Sequence, residues 1–150
     1  MSHSADSRSR VSVVAAFLVA VIAAVHLQQY LDFISEVPTV GGLFVLNAAG
    51  GAGLAAALIG RDRPLRLLAA MGSIGLAAGS LISITIALTG DFFGYSEPTL
   101  RLPILIAIIA EVAALPVLVV LMTAELRLRR AGQTPSAPAR GQHPLPPAST

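Results

Sequence analysis

Glu111 is the residue of this chain with the most chemistry to offer. It sits in the middle of the apolar run 102–122. An ionisable side chain at that depth in hydrocarbon costs on the order of 3 kcal/mol and faces a protein interior or a polar cavity. A carboxyl accepts hydrogen bonds when charged and donates one when neutral, so it can hold a proton, a cation or a small polar ligand. Four more polar residues interrupt other apolar runs: His26, Asn47, Ser80 and Ser83. At 1.5 Å per helical residue, Glu111 lies roughly 15 Å from its nearer boundary and Asn47 roughly 12 Å, with Ser80 and Ser83 similar and His26 shallower. All five fall in the same half of the membrane, so they are expected to form one hydrogen-bonded cluster. Polar glue between helices is one reading of such a cluster. A proton, cation or small-ligand site open to the exterior is the other, and the buried carboxyl favours it. Pro116, five residues on, should free the carbonyl of Val112 beside Glu111.

Named chemistries find little support. A bis-histidine haem needs two histidines in the membrane, and His3 and His143 lie in the tails, which leaves His26 for a single-ligand or intersubunit haem. Zinc needs three or four ligands, and His26, Glu111 and either Asp32 or Glu36 make a weak set, so no metal site is assigned. With no Cys there is no thiolate or disulfide. There is no HExxH, GxSxG or phosphate loop, and no Lys for a Schiff base. No catalytic residue is assigned, and the chain is expected not to be an enzyme.

The elements that must position these residues follow from composition. The 150 residues are 55% hydrophobic and 12% charged, with mean hydropathy +0.77. A soluble domain carries roughly 25% charged residues. Four apolar runs, at about 11–27, 40–59, 67–88 and 102–122, each approach the roughly 20 residues that cross a bilayer. Backbone groups in lipid must be satisfied within the segment, so the runs are helices. The expected fold is an all-α, integral membrane four-helix bundle. Nine of the ten Arg precede span one, lie between spans two and three, or follow span four. The remaining two loops hold Arg101 with Asp32, Glu36, Asp91 and Glu97. By the positive-inside rule both termini are cytoplasmic and loops 28–39 and 89–101 face outward, across a bacterial plasma membrane. The basic balance is confined to loops and does not point to nucleic acid.

A competing reading takes residues 1–24 as a signal peptide, with Arg8 and Arg10 before an apolar stretch and Val21-Ile22-Ala23 as cleavage site. Apolar residues continue through Val25, Leu27, Leu31 and Ile34, which favours a retained helix. Residues 1–10 are expected as a short tail. Residues 131–150, rich in Pro and including Pro135 and Pro138, are expected as a disordered tail.

Small residues should pack the helices, because close backbone approach substitutes for a hydrophobic force in lipid. Gly75 and Gly79 on span three and Ala49 and Gly53 on span two are expected to bring those spans together. Asn47, Gly51 and Ala55 form a second small-polar face. The same stripes would serve a homodimer or a larger membrane complex, with intramolecular packing preferred. Five of the seven aromatics, Tyr30, Phe33, Phe92, Phe93 and Tyr95, fall in or beside the outer loops. They read as an interfacial belt in the bilayer, or as a lid over an outward pocket. Tyr30, Phe93, Tyr95 and Glu97 are candidate contacts for a partner on the outer face.

The stretches His26-Leu27 with Tyr30, Val37-Pro38-Thr39-Val40-Gly41-Gly42-Leu43-Phe44-Val45-Leu46-Asn47, and Phe93-Gly94-Tyr95-Ser96-Glu97-Pro98 with Ala110-Glu111 resemble a group of small four-helix integral membrane proteins of actinobacteria. The resemblance covers residues 26–111 and leaves the tails out. It implies a four-helix plasma-membrane architecture with a retained first helix, and no particular activity or cofactor. The leading functional expectation is a non-enzymatic accessory or binding protein with an outward-facing polar cluster. The alternatives are a small proton-coupled transporter using Glu111 and a haem- or metal-binding electron-transfer subunit using His26.

Overall fold

The computed structural model describes residues 2–133, with side chains from 9 to 132. Helix α1 spans Ser2–Gln29 and runs on into a π-helical turn, Tyr30–Ile34. Helices α2 (Pro38–Ile59), α3 (Arg63–Thr89) and α4 (Leu102–Gln133) follow. All four are long and apolar enough to cross a membrane. Even α2, at 22 residues, is about 33 Å long against a hydrocarbon core of about 30 Å. Two expected boundaries change. The tail expected over 1–10 is helical from Ser2, and α4 continues well past residue 122. Residues 134–150, with Pro135, Pro138 and His143, lie outside the described residues, as does the side chain of His3.

Local chemistry sets the helix starts. Val37 is extended, with φ −100° and ψ 98°, as steric conflict with a following proline requires. Pro38 then opens α2 at the position where its missing N–H costs nothing. Asp62 caps α3 by accepting from the Leu65 amide at 3.1 Å. The short links 35–37 and 60–62 make sequential neighbours antiparallel. The four helices form a closed ring in chain order, because α1 also packs on α4. We call the end with residues 30–37 and 90–101 the aromatic end, and the opposite one the arginine end.

Alanine dominates the shared core, with Ala15 and Ala16 from α1, Ala55 from α2, Ala69, Ala70 and Ala77 from α3, and Ala110 and Ala114 from α4. Val19, Ile22, Leu58, Leu118 and Leu121 fill the remaining space. Large apolar side chains such as Phe17, Leu46, Ile82 and Ile109 point outward. A helix apolar on every side suits a hydrocarbon surround.

The packing differs from expectation. The tightest pair is α1 with α2, and the α2–α3 contact is the lightest in the ring. Gly75, Gly79, Ala49 and Gly53 all lie on exposed faces, and a Cβ built on Gly53, Gly75 or Gly79 would meet nothing within 4 Å. The other small-residue face of α2 makes the contact instead. A Cβ on Gly51 would come 3.0 Å from that of Ala23, and Ala48 and Ala55 are buried beside it. Spacing alone identified both stripes, and the direction of the ring closure selected between them.

Arg66 and Glu125 form an ion pair at the arginine end. Arg66 approaches Glu125 Oε1 at 2.7 Å through one terminal nitrogen and donates to it through Nε at 2.9 Å. Its other terminal nitrogen donates to the Gly60 carbonyl at 3.1 Å. Glu125 is almost fully buried. In sequence Arg66 is one of the loop charges, and the structure gives it this pairing as well.

Candidate functional site

Helix α4 directs Glu111 into the ring, where the residue is 1% exposed. Its Oε1 has no hydrogen-bond partner among the described residues. Val112 and Pro116 lie on the exposed side of α4, away from this pocket. Facing Glu111 are His26 of α1 and Ser80 of α3, from opposite corners of the ring. His26 Nδ1 contacts the Ile22 carbonyl at 2.9 Å. A carbonyl can only accept, so Nδ1 carries a proton. His26 Nε2 lies 3.1 Å from Ser80 Oγ. The imidazole also packs against Phe44, with ring centroids 5.0 Å apart.

Ser80 also neighbours the Glu111 carboxyl. A hydroxyl has one proton to donate, so it serves either Glu111 or His26 at a given moment. With a neutral Glu111, the carboxyl donates to Ser80 and Ser80 donates to Nε2 of a neutral imidazole. With a charged Glu111, the single hydroxyl proton goes either to the carboxylate or to Nε2 of a neutral imidazole, so one of the two contacts is given up. Protonation of Glu111 allows both at once.

Two small cavities flank this line. One, of about 40 Å³, lies between His26, Ser80, Glu111, Tyr95 and Glu97. The other, of about 60 Å³, lies toward α2 and is walled by Asn47, Ser83, Phe44 and Phe92, together with His26 and Ser80. Each has room for a few waters. The single expected cluster is thus divided. His26, Ser80 and Glu111 come together, whereas Asn47 and Ser83 line the neighbouring chamber. The Ser83 hydroxyl donates back to the Gly79 carbonyl at 2.8 Å.

Loop 90–101 closes the aromatic end. A tight turn pairs Phe92 with Tyr95 through two backbone hydrogen bonds, of 2.8 and 3.1 Å. Phe93 and Gly94 take left-handed conformations, with φ of 53° and 82°. The Glu97 amide donates to the Ala87 carbonyl at 2.9 Å, holding the loop on α3. Tyr95 donates its hydroxyl to Glu97 Oε2. Arg101 donates to the same oxygen at 2.6 Å, and its guanidinium lies 4.7 Å from the centre of the Phe33 ring. Burial pushes the Glu97 carboxyl up, but hydrogen bonds from Arg101 and Tyr95 and the Arg101 charge outweigh it and hold the group below its ordinary value. Burial, reinforced by the bond to Glu97, pushes the Tyr95 phenol up to about 12. The hydrogen bond to Glu97 pushes the Arg101 guanidinium up.

The proposed partner contacts divide in the same way. Phe93 is 64% exposed at the tip of the turn. Tyr30 is half-buried beside Gly41. Tyr95 is half-buried and lines both chambers. Glu97, expected on the outer face, is 3% exposed and turned inward. The lone arginine of these loops, Arg101, is its counter-ion. As the single basic residue of these two loops, Arg101 was the signal for a pairing with one of their carboxylates. Gln29, three residues from His26 on the same helical face, is buried and also lines the first chamber.

The weak zinc set does not assemble. Asp32 and Glu36 are exposed, and Asp32 accepts from Gln28 at 3.1 Å. No group of three or more His, Asp or Glu gathers at metal-binding distance among the described residues.

No protein-family model, no curated protein and no solved structure matches this chain.

Proposed function

We propose that this chain is a non-enzymatic, multi-pass protein of the plasma membrane that takes up a proton from outside at Glu111 and serves as an accessory or sensing component. The observation that carries the reading is the unpartnered Oε1 of a fully buried Glu111, facing a water-sized chamber shared with His26, Ser80, Tyr95 and Glu97. A chamber of about 40 Å³ suits a proton and a few waters, with no room for a macrocycle. Both His26 nitrogens are engaged within the protein, which lends no support to an axial-ligand role. The distribution of arginines supports the aromatic end as the outer one, with both termini in the cytoplasm.

Beyond Glu111 the interior is mostly Ala, Val, Ile and Leu, interrupted by the buried hydroxyl of Ser73 on α3, which has no partner among the described residues. The apolar stretch between Glu111 and the arginine end favours binding over conduction. The second reading, a proton-coupled carrier, draws on Ser73, which stands between Ser80 and the Arg66–Glu125 pair on the same helix. On the outer face, exposed Phe33, Phe93, Leu100 and Leu102 give a partner an apolar surface to engage.

Proteoliposomes subjected to an external pH step test this reading. It expects reversible uptake of about one proton per chain, absent in Glu111→Gln. Equal uptake by that variant would refute it. Sustained flux through the wild type would replace binding with transport.

A further inference from the structure

A separate cavity, of about 330 Å³, opens at the arginine end between the start of α1 and the α2–α3 link. Ser9, Ser12, Arg61, Arg63 and Arg66 supply its polar wall, and Val13 and Ile59 its apolar wall. Among the described residues, no acidic side chain lines it. Arg66 is already committed to Glu125 and the Gly60 carbonyl. Arg61 and Arg63 are exposed and make no ion pair or hydrogen bond among the described residues. The neighbouring carboxylate, Asp62, is turned to the Leu65 amide as the cap of α3. The cavity thus combines two uncompensated guanidiniums with serine hydroxyls, at a size that ligand pockets reach.

Its position narrows the ligand. Val13 and Ile59 are largely exposed, at the point where the apolar belt of the bundle meets the arginines. An amphiphile lying there would place a charged head against Arg61 and Arg63 and its chains along Val13 and Ile59. Guanidinium groups match the oxygens of a phosphate in a two-pronged geometry. Basic pockets between membrane helices at the cytoplasmic side hold anionic lipid heads in this way. We propose that this cavity binds the headgroup phosphate of an anionic phospholipid. The site is separate from Glu111 and stands whether or not Glu111 takes up protons.

Native mass spectrometry of the full chain in detergent tests it, titrating phosphatidylglycerol, phosphatidylcholine and inorganic phosphate in separate arms. The expected result is a phosphatidylglycerol adduct at roughly tenfold lower concentration than the phosphatidylcholine adduct. The preference should vanish in Arg61→Gln/Arg63→Gln and persist in Arg127→Gln/Arg129→Gln, which removes the same charge from the exposed end of α4. Equal affinity for the two lipids would overturn the proposal. So would equal loss of preference in both double variants, which would reduce the effect to general charge. An adduct with inorganic phosphate and none with phosphatidylglycerol would overturn the assignment to a lipid.

Discussion

His26 Nε2 and Ser80 Oγ meet at 3.1 Å across the ring, joining two helices that are not neighbours in its order. With Nδ1 held on the Ile22 carbonyl, the imidazole has one orientation and one free lone pair when neutral. That constraint makes Ser80 the link between His26 and Glu111. A double-mutant cycle of His26→Phe and Ser80→Ala, read by unfolding in detergent, should give a coupling of about 0.6 kcal/mol, the average of such cycles between membrane helices. Additivity to within about 0.3 kcal/mol would mean that the contact contributes nothing.

The Arg66–Glu125 pair behaves differently from its parts. Removing one partner leaves the other charge buried without compensation, at a cost of about 3–5 kcal/mol. Glu125→Leu should therefore lower the unfolding midpoint strongly. Arg66→Met/Glu125→Leu should recover most of the loss, because an apolar pair of similar volume fits a largely buried position. Thermal unfolding of the three proteins distinguishes this from a surface pair, for which neither variant would matter.

The Tyr95–Glu97–Arg101 closure titrates at both ends of the pH scale. The Glu97 carboxyl is held below its ordinary value, so its contribution is complete above about pH 5 and is lost as pH falls through the folded value. Tyr95 is raised to about 12, so its contribution is complete below about pH 10 and is lost as pH rises from there toward 12. In a Tyr30→Phe background, Tyr95 is the only tyrosine of a chain without tryptophan. Its phenolate absorbance should then titrate near 12, and Glu97→Gln should lower that midpoint part of the way. Titration of the unmodified loop at about 10 would contradict the closure.

The sequence was most informative where membrane physics leaves little choice. Apolar length implies four helices, and depth along them puts Glu111, Ser80 and the shallower His26 in the same half of the membrane. It could not divide those three from Asn47 and Ser83. For Asn47 that division depends on the rotation of α2 about its axis, fixed by Gly51 against Ala23 and by Gly41, where a Cβ would fall 2.8 Å from the Ile34 carbonyl oxygen, whereas Ser83 on α3 turns its hydroxyl back to the Gly79 carbonyl. The Gly75–Gly79 spacing was genuine, yet that face points out of the ring. Glu97 was misplaced because a polar loop residue was assumed to face water, although Arg101 four residues on offered an ion pair. Glu125 was legible too, since fourteen residues after Glu111 brings a helix back to nearly the same face.

Infrared difference spectroscopy of the reconstituted protein between acid and alkaline external medium tests the central claim most directly. A protonated carboxyl in an apolar chamber has a C=O stretch distinct from that of carboxylates in water. The band should appear in the acid-minus-alkaline spectrum of the wild type, shift in Ser80→Ala through loss of the hydrogen bond, and disappear in Glu111→Gln. A spectrum unchanged by Glu111→Gln would mean that Glu111 takes up no proton from that face, and the proposed function would fall with it.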